Sequence, residues 1–354
     1  MIETSMDQRF NNLSGAGTID VSSNVRLDLV NTADSEFSGS IVGNTSLDVG
    51  KGLSGSGTVT LSGSLNDVND IIVYNYGQLK LTGAALDYYG PMTVNGGKSV
   101  EYEVESGSKR YNITEDNKID VRTTSTDTGK LIKSGDGTLQ ICCEAEGLVR
   151  ADSVFISSGR VDYQGYFDST AGFGTPTSPS DCFVVEEDAV FSPGIGVGSI
   201  TLNAGNFTIR DSAIALFEFG AYNEDPTLQN FDTITIKGEF CKTIVNSNSI
   251  IQLAFLNNDA EKWAAEGAEY HIITEDYTFK PNDGDYSYLL GNYSDYFKLE
   301  ARKNNGFYLI GLGAPEPEPV VPEPSTWALL ILGVAGLLYV RKRNSQGKLV
   351  EKRS

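Results

Sequence analysis

Between residues 11 and 205 short apolar runs alternate with polar positions, and most runs end in glycine, asparagine or serine. In "GTVTLSG" the side chains of Val59 and Leu61 fall on one face and those of Thr58 and Thr60 on the other, the period of a half-buried strand. "NYGQLKLTG" (75–83), "MTVNGG" (92–97) and "VFISSGRVDYQG" (154–165) are further units of strand and turn. One phrase returns, as "LSGAGTIDV" from Leu13, "LSGSGTVTL" from Leu53 and "KSGDGTLQI" from Lys133, with a degenerate copy, "NGGKSVEYEV", from Asn95. Its Gly-x-Gly supplies a turn with permissive dihedrals, and threonine with alternating apolar residues then starts a strand. The first glycines of the three copies are Gly15, Gly55 and Gly135, the second interval being twice the first, and self-similarity at such a period predicts stacked repeats. No long helical period interrupts them. The expected fold is all-β, a right-handed parallel β-helix over residues 1–205, with a β-sandwich as the alternative.

Longer alternating strands follow in 206–313, among them "NFDTITIKGEF" (230–240) and "GFYLIGLG" (306–313). "NDAEKWAAEGAEYHIIT" (258–274) predicts a short helix and then a strand, and "KPNDGDYSY" (280–288) a turn. This region is expected to be a C-terminal β cap or a small β domain, since an open stack leaves strand edges and apolar faces exposed.

Residues 314–324, "APEPEPVVPEP", hold five prolines and predict an extended linker. An apolar run from Trp327 to Val340 comes next, and 325–340 would span roughly 24 Å as a helix against about 30 Å of hydrocarbon. Trp327 and Val340 bound the run. Tyr339 near its end and the basic cluster Arg341, Lys342 and Arg343 behind it fit a membrane interface, with 341–354 cytoplasmic and the β-rich body on the far side. Snorkelling flanks make up the missing length.

The chain of 354 residues carries a net charge of −20. Six basic residues against Glu351 make 341–354 +5, which leaves about −25 on residues 1–340. Such a body excludes nucleic acid as a partner. Cys142, Cys143, Cys182 and Cys241 have no metal-ligand spacing and read as buried thiols. His271 is the sole histidine and sits in a strand pattern, "EYHIIT", where a structural role is expected. Asp67 and Asp70, then Glu115, Asp116 and Asp120, are irregularly spaced carboxylates that read as solvated turn residues rather than a calcium or acid–base site. The tyrosines of "YSYLLGNYSDYF" (286–297) offer faces for sugar rings, but strand packing is the expected use.

Two resemblances add to these readings. "GDGTLQI" (135–141) and "VFSPGIGVGSITLNAGNFTIRDSAIALFEFG" (190–220) resemble the autotransporter-associated β-strand repeat, which implies a secreted β-helix. "VPEPST" (321–326), the apolar run and the basic cluster resemble, in order and in register, the PEP-CTERM sorting signal. That resemblance implies an exported bacterial protein whose partner is exosortase, a membrane enzyme acting at or near the motif Pro322, Glu323 and Pro324. It also implies that 325–340 is a temporary membrane anchor and that the mature protein reaches the cell surface or extracellular matrix. Family tails usually stop soon after the basic cluster, whereas "NSQGKLVEKRS" continues here. The opening "MIETSMDQRFNNLSG" lacks the apolar core of a signal peptide, so a truncated or misassigned start is expected.

The leading expectation is a structural or adhesive surface protein without catalysis, cofactor or metal site, with an exopolysaccharide or cell-surface glycan as its partner. The alternative is a carbohydrate-active enzyme, a lyase or hydrolase on a β-helix. An autotransporter passenger is disfavoured, because it needs a C-terminal barrel of strands of about ten residues.

Overall fold

In the computed structural model, residues 2–313 are described apart from 5, 22–23, 52–56, 75, 96–97, 114–118, 122–128, 144–148, 170–180, 204, 224–229, 239–240, 276–283 and 303–304. Strands make up 59% of the described residues and helices 5%. The alternation seen in the sequence sets the strand faces. In Val25–Val30, Val25, Leu27 and Leu29 are buried while Arg26 and Asp28 point outward.

Successive circuits of the chain lay parallel strands on three faces. The first face is a nine-stranded sheet running from Ser35–Phe37 to Thr243–Val245, one strand to a circuit. Its inward column runs Val59, Leu79, Val100, Leu131, Val154, Phe183 and Phe207, each paired with the next. The circuit from Val59 to its vertical partner Leu79 is much shorter than the one from Phe207 to Thr243, so circuits lengthen by extending loops while the faces keep register.

The second face carries Thr18–Val21, the opening residues of Ser40–Val49 and Leu65–Val73, and then Ser108–Ile113 through to Ile250–Phe255. A 3-10 turn, Gly83–Asp87, interrupts it. The Ala84 N–H donates to the Ser62 carbonyl, and the Leu86 carbonyl accepts from the Tyr111 hydroxyl. The third face runs from Gln8–Asn11 and Val25–Val30 to Ser199–Asn203, Thr233–Lys237 and the end of Glu269–Glu275. Parallel pairing passes residue 205 without a break on the first face, where Asp181–Val185 pairs with Asn206–Ile209.

The second and third faces meet inside single long strands. In Ser40–Val49 the bend falls at Gly43, with φ of 110°, and a Cβ there would sit 2.0 Å from the Val21 carbonyl oxygen. One circuit on, register places Asp67 at the same bend with φ of 61°. Aspartate tolerates this left-handed conformation, so Asp67 serves as a corner residue. The three copies of the repeated phrase do not occupy equivalent places. Thr18–Val21 and Thr138–Cys143 lie on the second face but Thr58–Leu61 on the first. The phrase marks a strand start after a corner, and a three-faced circuit has more than one corner where it serves.

The interior grades from aliphatic to aromatic. Leu27, Ile41, Leu47 and Ile71 fill the early circuits, and Phe183 packs 4.9 Å from Phe191 further on. At the C-terminal end Phe219, Phe255, Trp263, Tyr270 and Phe297 form one cluster, with Phe219 and Trp263 centroids 5.1 Å apart. The expected short helix is present as Ala260–Trp263, followed by the strand Glu269–Glu275. There the topology turns antiparallel, with Gly306–Gly311 between Glu269–Glu275 and Phe297–Arg302.

Among the described residues no further circuit pairs the edges of the last-circuit strands, and side chains take its place. Glu275 reaches back so that its carboxylate accepts the Thr243 N–H at 2.7 Å. On the second face the Gly291 N–H donates to the Ile251 carbonyl, while the Asn292 amide accepts the Leu253 N–H at 2.9 Å and donates to its carbonyl at 2.8 Å. Asn292 thus imitates a peptide group of a missing strand. Replacing Asn292 with alanine should cost about 1–3 kcal/mol and raise the exchange rate of the Leu253 amide. Hydrogen exchange with urea unfolding checks this, and an unprotected Leu253 amide in the parent would refute it.

Candidate functional site

The residues singled out in the sequence fall in separate places. Pro322, Glu323 and Pro324, the run from Trp327 to Val340, and Arg341, Lys342 and Arg343 lie outside the described residues. So do Glu115 and Asp116. Among the described residues no helix is long and apolar enough to cross a membrane. Asp67 is the corner residue, and Asp70 pairs in register with Ser46. Asp120 belongs to Ile119–Val121 on the third face, paired with Thr93 and Arg150. His271 stacks on Tyr308 with ring centroids 4.2 Å apart, and its ring nitrogens meet the Asn305 carbonyl and the Thr274 hydroxyl. Burial lowers its pKa. Of the tyrosines, Tyr286 packs on Phe307, Tyr293 on Phe255 and Tyr296 on Tyr293, while Tyr288 is exposed. None of the four cysteines forms a disulfide, and Cys182 and Cys241 are buried as expected, whereas Cys142 and Cys143 are only half-buried.

The circuits assemble a cluster that none of these short stretches contains. On the outer side of the second face, Arg160 Nε contacts Asp162, whose other oxygen accepts from the Gln140 amide at 3.1 Å. The Arg160 guanidinium also reaches Glu218 at 3.8 Å. The i, i+2 relation of Arg160 and Asp162 within Arg160–Asp168 places both on the same side of the strand, and register brings Gln140 beside Asp162. Asp162 is 3% exposed and Asp232 is fully buried. The Asp232 carboxylate accepts the Gly198 N–H at 2.6 Å and the Glu218 N–H at 2.8 Å, with the Ser192 hydroxyl at 3.5 Å. Burial raises the Glu218 carboxyl, against the pull of Arg160, and pushes Asp232 up to about 7. One Glu218 oxygen, Oε2, is buried without a hydrogen-bond partner.

Of these acids Asp232 can bind and release a proton near neutral pH, with the raised carboxyl of Glu218 as its acidic neighbour. Among the described residues no group of three or more His, Cys, Asp or Glu side chains is placed to hold a metal ion. Sequence reading did not point at the acids Asp162, Glu218 and Asp232, the first of which lies on an earlier circuit than the other two. The available signal was a charged residue at an outward position of a strand that the loops then cover.

A second buried ion lies on the first face. Lys133 stands in an inward column between Tyr102 and Ile156 and is 2% exposed. It opens the phrase "KSGDGT" where the other copies have leucine. Its ammonium donates to the carbonyls of Gly135 at 2.7 Å and of Ser134 and Ser158 at 2.9 Å. Burial pushes its pKa down to about 8, which leaves the ammonium charged at neutral pH, the form the three carbonyls require.

Comparison with known proteins bears on the tail. Residues 320–343 match the PEP-CTERM protein-sorting motif. Proteins carrying this motif are processed by exosortase, a membrane enzyme, and the match implies export with processing at a membrane. No curated protein matches the chain.

Replacing Lys133 with leucine should destabilise the stack by about 2 kcal/mol, because three corner carbonyls lose their donor. Lys133→Met should also remove a gain in stability that the parent shows between about pH 8 and 9.5. There the unfolded lysine still binds its proton while the folded one releases it. Urea midpoints across that range decide the matter, and a Lys133→Leu variant as stable as the parent would refute the role.

Proposed function

We propose that this is an exported, surface-associated structural or adhesive protein, sorted through its tail, whose body is a right-handed parallel β-helix that continues past residue 205 and is capped by the antiparallel strands at its end. The observation that carries the reading is the sorting motif at 320–343. In this reading 325–340 is a transient membrane helix, Arg341, Lys342 and Arg343 hold its cytoplasmic end, and exosortase cuts at or near Pro322-Glu323-Pro324. A rigid extended linker outside the bilayer presents the bond to a membrane protease, and the apolar run from Trp327 to Val340 is short for a permanent anchor. The partner beyond exosortase is an exopolysaccharide or cell-surface glycan.

The parallel register over three faces supports the β-helix and leaves no support for a sandwich of antiparallel sheets. The non-catalytic reading is supported by the enclosure of the titratable acids. Asp232 is fully buried and the Glu218 side chain is 12% exposed, whereas a glycosidase needs an acid and a base open to the sugar.

Processing is tested by expressing the full chain, fused to a signal peptide, in a host with and without exosortase. Mass spectrometry of the surface fraction should find a mature C-terminus near Pro324 only where the enzyme is present. The double change Pro322→Ala and Pro324→Ala should leave the chain uncut in the membrane, and deletion of 341–343 should weaken the stop in translocation. Peptides from "NSQGKLVEK" joined to the mature body would overturn the proposal. For the body, incubation with a panel of bacterial and plant glycans should release no reducing ends and no unsaturated sugars. Release that disappears in Glu218→Gln would establish the enzyme instead.

A further inference from the structure

We propose that Asp232 is a proton-operated latch that fastens the turn after Ser192 and the chain at 230–232 to the end of Ile214–Phe219, and loosens both as the pH rises. The latch joins three elements at one carboxyl group. Val190–Ser192 ends in the Ser192 hydroxyl and leads into the turn whose Gly198 N–H points at Asp232. Ile214–Phe219 supplies the Glu218 N–H, and the Glu218 carbonyl accepts the Asp232 N–H at 2.9 Å. Asp232 itself immediately precedes Thr233–Lys237, whose Thr233 N–H donates to the Gly198 carbonyl at 3.1 Å. An antiparallel bridge between Phe219 and Phe231 and the bond from Gly220 N–H to the Asn230 carbonyl complete the fastening.

Charges around the latch are unbalanced. Glu218 faces Asp232 from Ile214–Phe219, and Asp162 faces Glu218 from Arg160–Asp168. Arg160 is the one cation drawn into the group among the described residues, shared between Asp162 and Glu218, while Gln140 and Ser192 bring neutral hydrogen-bonding groups. Burial first, and then the charge of Glu218, favour the protonated Asp232 carboxyl, while the two backbone N–H groups and the hydroxyl favour the ionised one. Burial wins, and the folded pKa is pushed up to about 7. Because the folded value is raised, the latch contributes its full stability below the unfolded carboxylate range, at about pH 4, and loses it as the pH climbs to about 7. Above that the loss is complete and the dependence levels off. Proton release places a negative charge beside the Glu218 carboxyl in a site closed to water.

The test is amide exchange of the full-length chain in detergent micelles at the Gly198 and Glu218 positions between about pH 4.5 and 8.5, corrected for intrinsic exchange. Opening should grow about tenfold per pH unit up to about pH 7 and then become flat. Asp232→Asn should abolish the step. Since the asparagine amide would set a donor against the Glu218 N–H and could unfold the loop, Glu218→Gln serves as the second variant. It keeps the Asp232 fastening but removes the repelling charge, so its step should move to lower pH. Opening that is constant with pH in the parent, a step that survives Asp232→Asn, or an unmoved step in Glu218→Gln would each overturn the latch.

Discussion

Everything in this molecule depends on the parallel ladder that joins each circuit of the chain to the next. A strand inside the stack has both edges paired, so its backbone groups are satisfied whatever its side chains. Side chains are then free to answer a different demand, which is to stack on similar neighbours above and below. The column from Val59 to Phe207 meets it with apolar residues at every level. Loops answer to neither demand, which is why one circuit can close between Val59 and Leu79 and another only between Phe207 and Thr243 while register persists.

What the ladder does not satisfy collects at corners and ends. Many of the buried polar groups stand there. Asn31 donates to the Thr58 carbonyl at a corner, Thr45 follows the bend at Gly43 and donates to the Val25 carbonyl, and Lys133 covers three carbonyls at another corner. At the last circuit Glu275 and Asn292 stand in for peptide groups. These are the positions where a side chain costs most to replace, because its loss leaves a buried backbone group bare. Ion pairs follow the ladder too, as between Arg9 and Asp28 and between Arg26 and Asp48, whose fully buried carboxylate also accepts from Lys51.

How much of this was legible in the sequence follows from the same division. Strand identity was local, so the alternation in "TVTL" read correctly, as did the short helix at Ala260–Trp263 and the strand around His271. Register was less legible. The recurrence of Gly-x-Gly-Thr suggested one repeat per period, whereas the copies serve corners leading to different faces. Asp67 read as a solvated turn carboxylate, and it is exposed at a bend, but only the partner circuit shows that it replaces Gly43. The cluster of Arg160, Asp162, Glu218 and Asp232 was illegible, since no spacing rule connects acids whose proximity depends on loop lengths between circuits.

The sorting motif and the buried acid cluster are opposites in this respect, and the contrast has a physical origin. A sorting signal must be recognisable from a short stretch of sequence, so its parts lie in order within residues 320–343. The carboxyl of Asp232, by contrast, acquires its character only when the circuits bearing Ser192, Gly198 and Glu218 close around it and exclude water. Lys133 is the intermediate case, a local departure from leucine in a repeated phrase whose meaning waits for the Ser158 carbonyl of the next circuit. The information in this chain is therefore divided by range. The destination of the protein is written locally, while the properties of its body arise from contacts between circuits, where a composition of alternating strands and glycine turns is silent.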